Sequence, residues 1–190
     1  MILKMEAVKK IEINKIAKII ILALIGTVLL TISAKVKIPF YPVPMTMQTF
    51  IVLLLGLALG PKIALLTVSL YLFEGIFGLP VFAGTPEKGI GFIYFAGPTM
   101  GYLIGFLIAA YLTGSFEYNK GFINTFLKLV FSVSFIYIIG LIWLGTLIGW
   151  DKPLFKIGVQ PFLLAELFKI LLLLFLVPGL LKTRKLLKII

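Results

Sequence analysis

Residues 158–178, GVQPFLLAELFKILLLLFLVP, are apolar enough to cross a bilayer, yet Glu166 and Lys169 stand near the middle of the run. A spanning helix needs about 20 mostly apolar residues, so the stretch has the length. Residues three apart share a helix face, so both charges point the same way, alongside Leu163 and Ile170. An ionisable group at membrane depth costs about 2.5–3.5 kcal/mol on insertion scales and usually faces a bundle interior or cavity. Two readings follow. The pair is a polar recognition site inside a helical bundle, or it is an ion pair that locks its own helix.

The rest of the chain supplies that bundle. Of 190 residues, 61% are hydrophobic, more than a soluble domain can bury. The apolar runs are continuous rather than alternating, which excludes a β-barrel. The expected fold class is an all-α membrane protein of six transmembrane helices in a single domain, residues 1–190. The helices fall near 16–34, 47–59, 63–78, 98–113, 126–150 and 158–178, between a basic lead-in (1–18) and a basic tail (180–190). The lead-in is loosely amphipathic and suits a membrane surface.

The net charge of +11 is not a nucleic-acid signal, because the basic residues cluster at the two ends and in short loops. Six spans place both termini on one side, which then holds twelve Lys and Arg against five on the other, with Lys169 inside. The bias puts both termini in the cytoplasm. Two apolar connections then lie on the outer side. One is proline-rich, KVKIPFYPVPMT (35–46), and its three prolines forbid a helix. The other is glycine-rich, VFAGTPEKGIGFIYFAG (81–97). Together they cap the site.

Small residues mark two packing seams. Gly97, Gly101 and Gly105 repeat every four residues, and Ala23 and Thr27 form a small-xxx-small pair with Gly26 beside it. Such pairs allow close approach, within the protein or with a partner.

Several chemistries are excluded. The chain has no cysteine and no histidine, hence no disulfide and no Cys/His metal site. It has no phosphate-binding G-x-x-x-x-G-K-[ST] loop and no Ser/His/Asp or Cys/His arrangement. An intramembrane enzyme would have to use Glu74, Glu166 and Lys169, with no activated nucleophile among them. No catalytic residue is expected.

Five blocks, VPMTMQTF (43–50), GLALGP (56–61), YLFEGIFGLPVFAG (71–84), GPTMGYLIGF (97–106) and PFLLAELFK (161–169), resemble the BioY family over about residues 34–178. The resemblance implies the biotin-binding subunit of an energy-coupling-factor transporter. It implies six helices, one biotin near the outer face, and no cofactor beyond biotin as the transported ligand. It also implies partners: a transmembrane coupling subunit and two cytoplasmic ATPase subunits. The family's acidic residue and lysine in the last helix fall on Glu166 and Lys169. The family more often has Asp at the acidic position, so Glu166 is one methylene longer. The family's ligand loop falls on Gly84 and Thr85, and its coupling face on Ala23, Gly26 and Thr27.

Biotin suits this inventory. Its ureido ring offers N–H donors and a carbonyl, which Glu and Lys can meet. Its bicyclic body needs apolar and aromatic walls. Tyr41, Tyr71, Phe82, Tyr94 and Tyr102 are candidate walls, though each taken alone reads more readily as core or interface packing. Gln48 is a candidate donor or a helix cap. The alternatives are a sister subunit for riboflavin or thiamine, an intramembrane enzyme, or a structural membrane protein with no ligand.

Overall fold

The computed structural model describes residues 2–38, 43, 45–87, 89–118 and 121–187, with side chains from residue 13 onward. The chain is an all-α membrane protein. The first helix, α1, runs unbroken over Ile2–Lys35, so the basic lead-in continues the helix instead of forming a separate surface element. No glycine or proline interrupts residues 2–25, and nothing in that stretch forces a stop. Beyond α1 the chain doubles back. Two-residue strands β1 (Lys37–Ile38) and β2 (Met45–Thr46) pair antiparallel, with Lys37 opposite Thr46.

Helix α2 (Gln48–Leu59) is the centre of the bundle: ten of its twelve residues are buried. A helix apolar on every face is stable only when surrounded. Gly60, at φ 77°, turns the chain directly into α3 (Pro61–Ile76), whose first residue is a proline that has no amide to leave unpaired. The glycine-rich connection folds onto the bundle and contains one short helix, α4 (Phe92–Phe95). Helices α5 (Met100–Ser115) and α6 (Gly121–Ile148) follow, then α7 (Leu154–Gly158), a 3₁₀ turn (Gln160–Phe162) and α8 (Leu163–Leu187).

Three stretches, Ile13–Lys35, Gly121–Ile148 and Leu154–Leu187, are long and apolar enough to cross a membrane, and Gln48–Leu59 and Met100–Ser115 are shorter apolar helices. Pro178 does not end the last helix, contrary to the sequence expectation; α8 passes through it to Leu187. Partners hold the extra turns. Arg184 donates to the Gly114 carbonyl at 2.9 Å, and Lys18 donates to the Leu187 carbonyl at 2.6 Å. Those two contacts tie α1, α5 and α8 together at one end of the bundle. The candidate site lies at the other.

The glycine stripe on α5 packs as its spacing suggests. A Cβ at Gly105 would stand 2.6 Å from the Ile136 Cα, and one at Gly101 would stand 2.6 Å from the Ile139 carbonyl oxygen. Only glycine lets the α5 and α6 backbones approach so closely. Gly97 lies before α5 begins, where its carbonyl accepts from the Trp143 indole at 2.9 Å.

Helix α1 corrects an expectation. Ala23, Gly26 and Thr27 are buried, and a Cβ at Gly26 would meet the Thr67 methyl group at 2.4 Å. These small residues seat α1 on α3 within the chain. They do not form an outward coupling face, and the opposite face of α1 (Ile20, Leu24, Val28) is the exposed one.

Candidate ligand-binding site

Glu166 and Lys169 lie in the first two turns of α8, and each is only 6% exposed. The i, i+3 spacing brings Lys169 Nζ to 2.7 Å from Glu166 Oε1. Thr49 on α2 completes the contact from across the bundle. Its hydroxyl donates to the same Oε1 at 2.8 Å and accepts from Lys169 Nζ at 3.0 Å. Lys169 also donates to the Thr46 carbonyl of β2 at 2.6 Å. An ammonium has three protons, and here each has an acceptor. The carboxylate is less complete. Glu166 Oε2 is buried with no hydrogen-bond partner among the described residues, although the Tyr137 hydroxyl of α6 lies beside the group.

Buried polar atoms are normally paired, and the neighbouring Tyr137 hydroxyl is within reach of this carboxylate. Glu166 borders a partly open cavity. Gln48, Thr49, Glu166 and Lys169 form the polar side. Tyr94, Tyr102, Phe106, Tyr137 and Phe162 form aromatic walls, with Val43, Met45, Ala83, Leu103 and Ile136 between them. An apolar, aromatic pocket with a few convergent polar groups is the usual form of a small-molecule site.

A second, neutral network shapes the facing wall. Gln48 Nε2 donates to the Tyr71 hydroxyl at 2.8 Å, and that hydroxyl donates to the Val81 carbonyl at 3.0 Å. The Tyr94 hydroxyl donates to the Ala83 carbonyl at 2.7 Å. Phe82 stacks on Tyr94 at 4.8 Å between centroids and meets Tyr71 edge-on at 5.2 Å. On the far side the Tyr102 hydroxyl donates to the Gly158 carbonyl at 2.8 Å.

The cavity therefore gathers five of the residues singled out from sequence: Glu166, Lys169, Gln48, Tyr94 and Tyr102. Tyr71, Phe82, Gly84 and Thr85 are buried behind it and do not line it. Tyr41 lies outside the described residues. Gln48 is not a helix cap; its side chain is spent on Tyr71 and on accepting from the Thr46 hydroxyl. Glu74 is half-buried near the end of α3 and is not at the cavity. Thr49 and Tyr137 were not singled out. A tyrosine inside the uncharged run FIYIIG was the available signal, because a buried phenol needs a partner for its hydroxyl.

A membrane-helix bundle with a polar, aromatic-walled cavity at one end defines an integral membrane protein equipped to hold a small molecule. The comparisons sharpen that class. Residues 5–186 match the BioY family, and the chain belongs to it. A protein of Pyrococcus horikoshii named "Probable biotin transporter BioY" is 36% identical over 153 residues, 80% of this chain and 90% of that one. The "Biotin transporter BioY" of Thermotoga maritima is 35% identical over 147 residues, 77% of this chain and 85% of that one. Among solved structures, the S-component for biotin from an ECF-type ABC transporter superposes with a TM-score of 0.75 at 26% identity, covering 89% of this chain and 93% of that chain. These relatives are transporters and not enzymes. The chain is a multi-pass protein of the plasma membrane.

Proposed function

We propose that this chain takes up biotin as the membrane substrate-binding subunit of an energy-coupling-factor transporter. Membership of the BioY family supports the ligand. The observation that carries the reading is the buried Glu166 carboxylate, held by Lys169 and Thr49 beside an aromatic-walled cavity. A ureido N–H is a donor of the right kind for it. Lys169 and Thr49 hold the carboxylate by Oε1, which leaves Oε2 to a further donor. Tyr94, Tyr102 and Phe162 flank the bicyclic body, and Gln48 stands near it, already engaged with Tyr71.

The test is a titration. The detergent-solubilised chain should release copurified biotin on denaturation, and calorimetry should give saturable heat with biotin but none with riboflavin or thiamine. Heat with either of those vitamins and none with biotin would reassign the ligand.

The six spans, the cytoplasmic termini and the outer placement of the cavity belong to the same proposal. The charge bias supports them, as does the presence of both connections at the cavity end. The chain has no cysteine, so a single Leu79→Cys variant is a clean probe; Leu79 is 53% exposed on the connection after α3. It should react with an impermeant maleimide added outside intact cells. Reaction only after the cells are opened would invert the topology.

The chain also lacks a phosphate-binding loop, so concentrative uptake is assigned to a coupling subunit and two ATPases acting with it. The burial of Ala23, Gly26 and Thr27 within the chain supports a docking surface elsewhere. Gly26→Leu should therefore lower the melting temperature of the isolated subunit, since overpacking typically costs about 1–3 kcal/mol. An unchanged melting temperature with lost capture of the coupling subunit would return that face to docking.

A further inference from the structure

Lys35 closes α1 and does not line the cavity, yet its ammonium is spent on one short segment of the facing wall. Nζ donates to the Phe82 carbonyl at 3.0 Å, the Thr85 carbonyl at 3.2 Å and the Thr85 hydroxyl oxygen at 3.0 Å. The Thr85 hydroxyl in turn donates to the Phe82 carbonyl at 2.7 Å. A lysine kept only for membrane topology would extend into water. Lys35 is an exposed residue, yet it turns all three protons onto Phe82 and Thr85. The position suits a cation, because the carbonyl end of a helix carries partial negative charge. Lys37 and Glu87 are its charged neighbours.

Of the two residues between its contacts, Ala83 and Gly84, the first lines the cavity. The Ala83 carbonyl receives the hydroxyl of Tyr94, itself a wall residue. We propose that Lys35 is a positioning residue for the ligand: it clamps residues 82–85 and thereby sets Ala83 and Tyr94 against the bound molecule. The role is mechanical and needs a strong donor at that place, not contact with the ligand. It rests on the cavity being the biotin site.

The experiment uses the full chain in nanodiscs, with Lys35→Met and Lys35→Arg beside the wild type. Biotin affinity and dissociation rate are measured, and hydrogen exchange of residues 82–87 is followed without ligand. Lys35→Met should raise Kd roughly tenfold, the scale of a lost charged hydrogen bond, and should do so through faster dissociation. Lys35→Arg, which keeps a cationic donor, should restore most of the affinity. Exchange at 82–87 should quicken in Lys35→Met alone, while the melting temperature of the unliganded protein stays with the wild type. Affinity unchanged in Lys35→Met overturns the proposal. So does a loss of affinity that tracks a lowered melting temperature, with exchange at 82–87 unaltered and no rescue by arginine. A wild type that does not bind biotin removes the ligand reading first, and this inference with it.

Discussion

The α8 wall of the cavity is ionic, and the wall at Ala83, backed by the rest of residues 81–85, is neutral apart from its clamp. On the first, one carboxylate, one ammonium and one hydroxyl share three short contacts with almost no exposure to solvent. On the second, the Tyr71 and Tyr94 phenols hold the Val81 and Ala83 carbonyls, and the Gln48 amide donates to the Tyr71 hydroxyl. The two walls answer differently to loss of a part. A buried charge left without its partner carries a large desolvation penalty, whereas a neutral hydrogen bond is worth about 0.5–1.5 kcal/mol net. Loss of a part is therefore expected to cost more on the ionic wall than on the neutral one.

Three substitutions test that division. The largest effect is expected from Lys169→Met, which leaves Glu166 buried without its cation. Biotin affinity by calorimetry should fall by about 2–5 kcal/mol while membrane insertion continues. Undiminished affinity would place the binding energy elsewhere. Glu166→Asp keeps the charge and shortens its reach by one methylene. Affinity should drop by less than about 1.4 kcal/mol, one factor of ten, and abolished binding would show that reach matters more than charge here. The smallest effect belongs to the neutral wall. Tyr71→Phe strips the hydroxyl between Gln48 and the Val81 carbonyl, and thermal denaturation should report a loss of about 1 kcal/mol with a few-fold change in affinity. A loss as large as that of Lys169→Met would erase the distinction between the walls.

Sequence and structure agree where a residue is conspicuous against its background. Glu166 and Lys169 stand out in an apolar run, and their spacing alone puts them on one face. Gly101 and Gly105 announce a seam because glycine in a helix is otherwise costly. Agreement fails where every face of a helix is equally apolar. Periodicity marks an inner face by contrast with a polar outer one, and in a lipid-facing bundle that contrast is missing. Ala23, Gly26 and Thr27 were thus legible as a close-approach face, but not as one turned inward onto Thr67. Likewise Tyr71, Phe82 and Thr85 were legible as special residues near a site. Their place behind Gln48 and Ala83, rather than at the cavity surface, follows from the path of the chain between Val81 and Tyr94. Thr49 reaches Glu166 across 117 positions, a pairing that no local pattern encodes. The end of α8 was misplaced because Pro178 is a local stop signal, and the contacts that override it come from Lys18 and Gly114.

The shortest contact of Lys169 is with the backbone of its own chain, the Thr46 carbonyl at 2.6 Å. The Thr46 carbonyl is thus an internal rival for any ligand oxygen directed at Lys169. A cation with three protons and three acceptors has none to spare, so a cargo that claims one does so by eviction. If Thr46 is the group displaced, β2 loses its tether to α8 at the moment of capture. Affinity then measures the difference between two acceptors, not the strength of one. A molecule of the same outline but without an oxygen at that point would fill the aromatic walls and leave the tether fastened. Occupancy and recognition are, on this geometry, separable events.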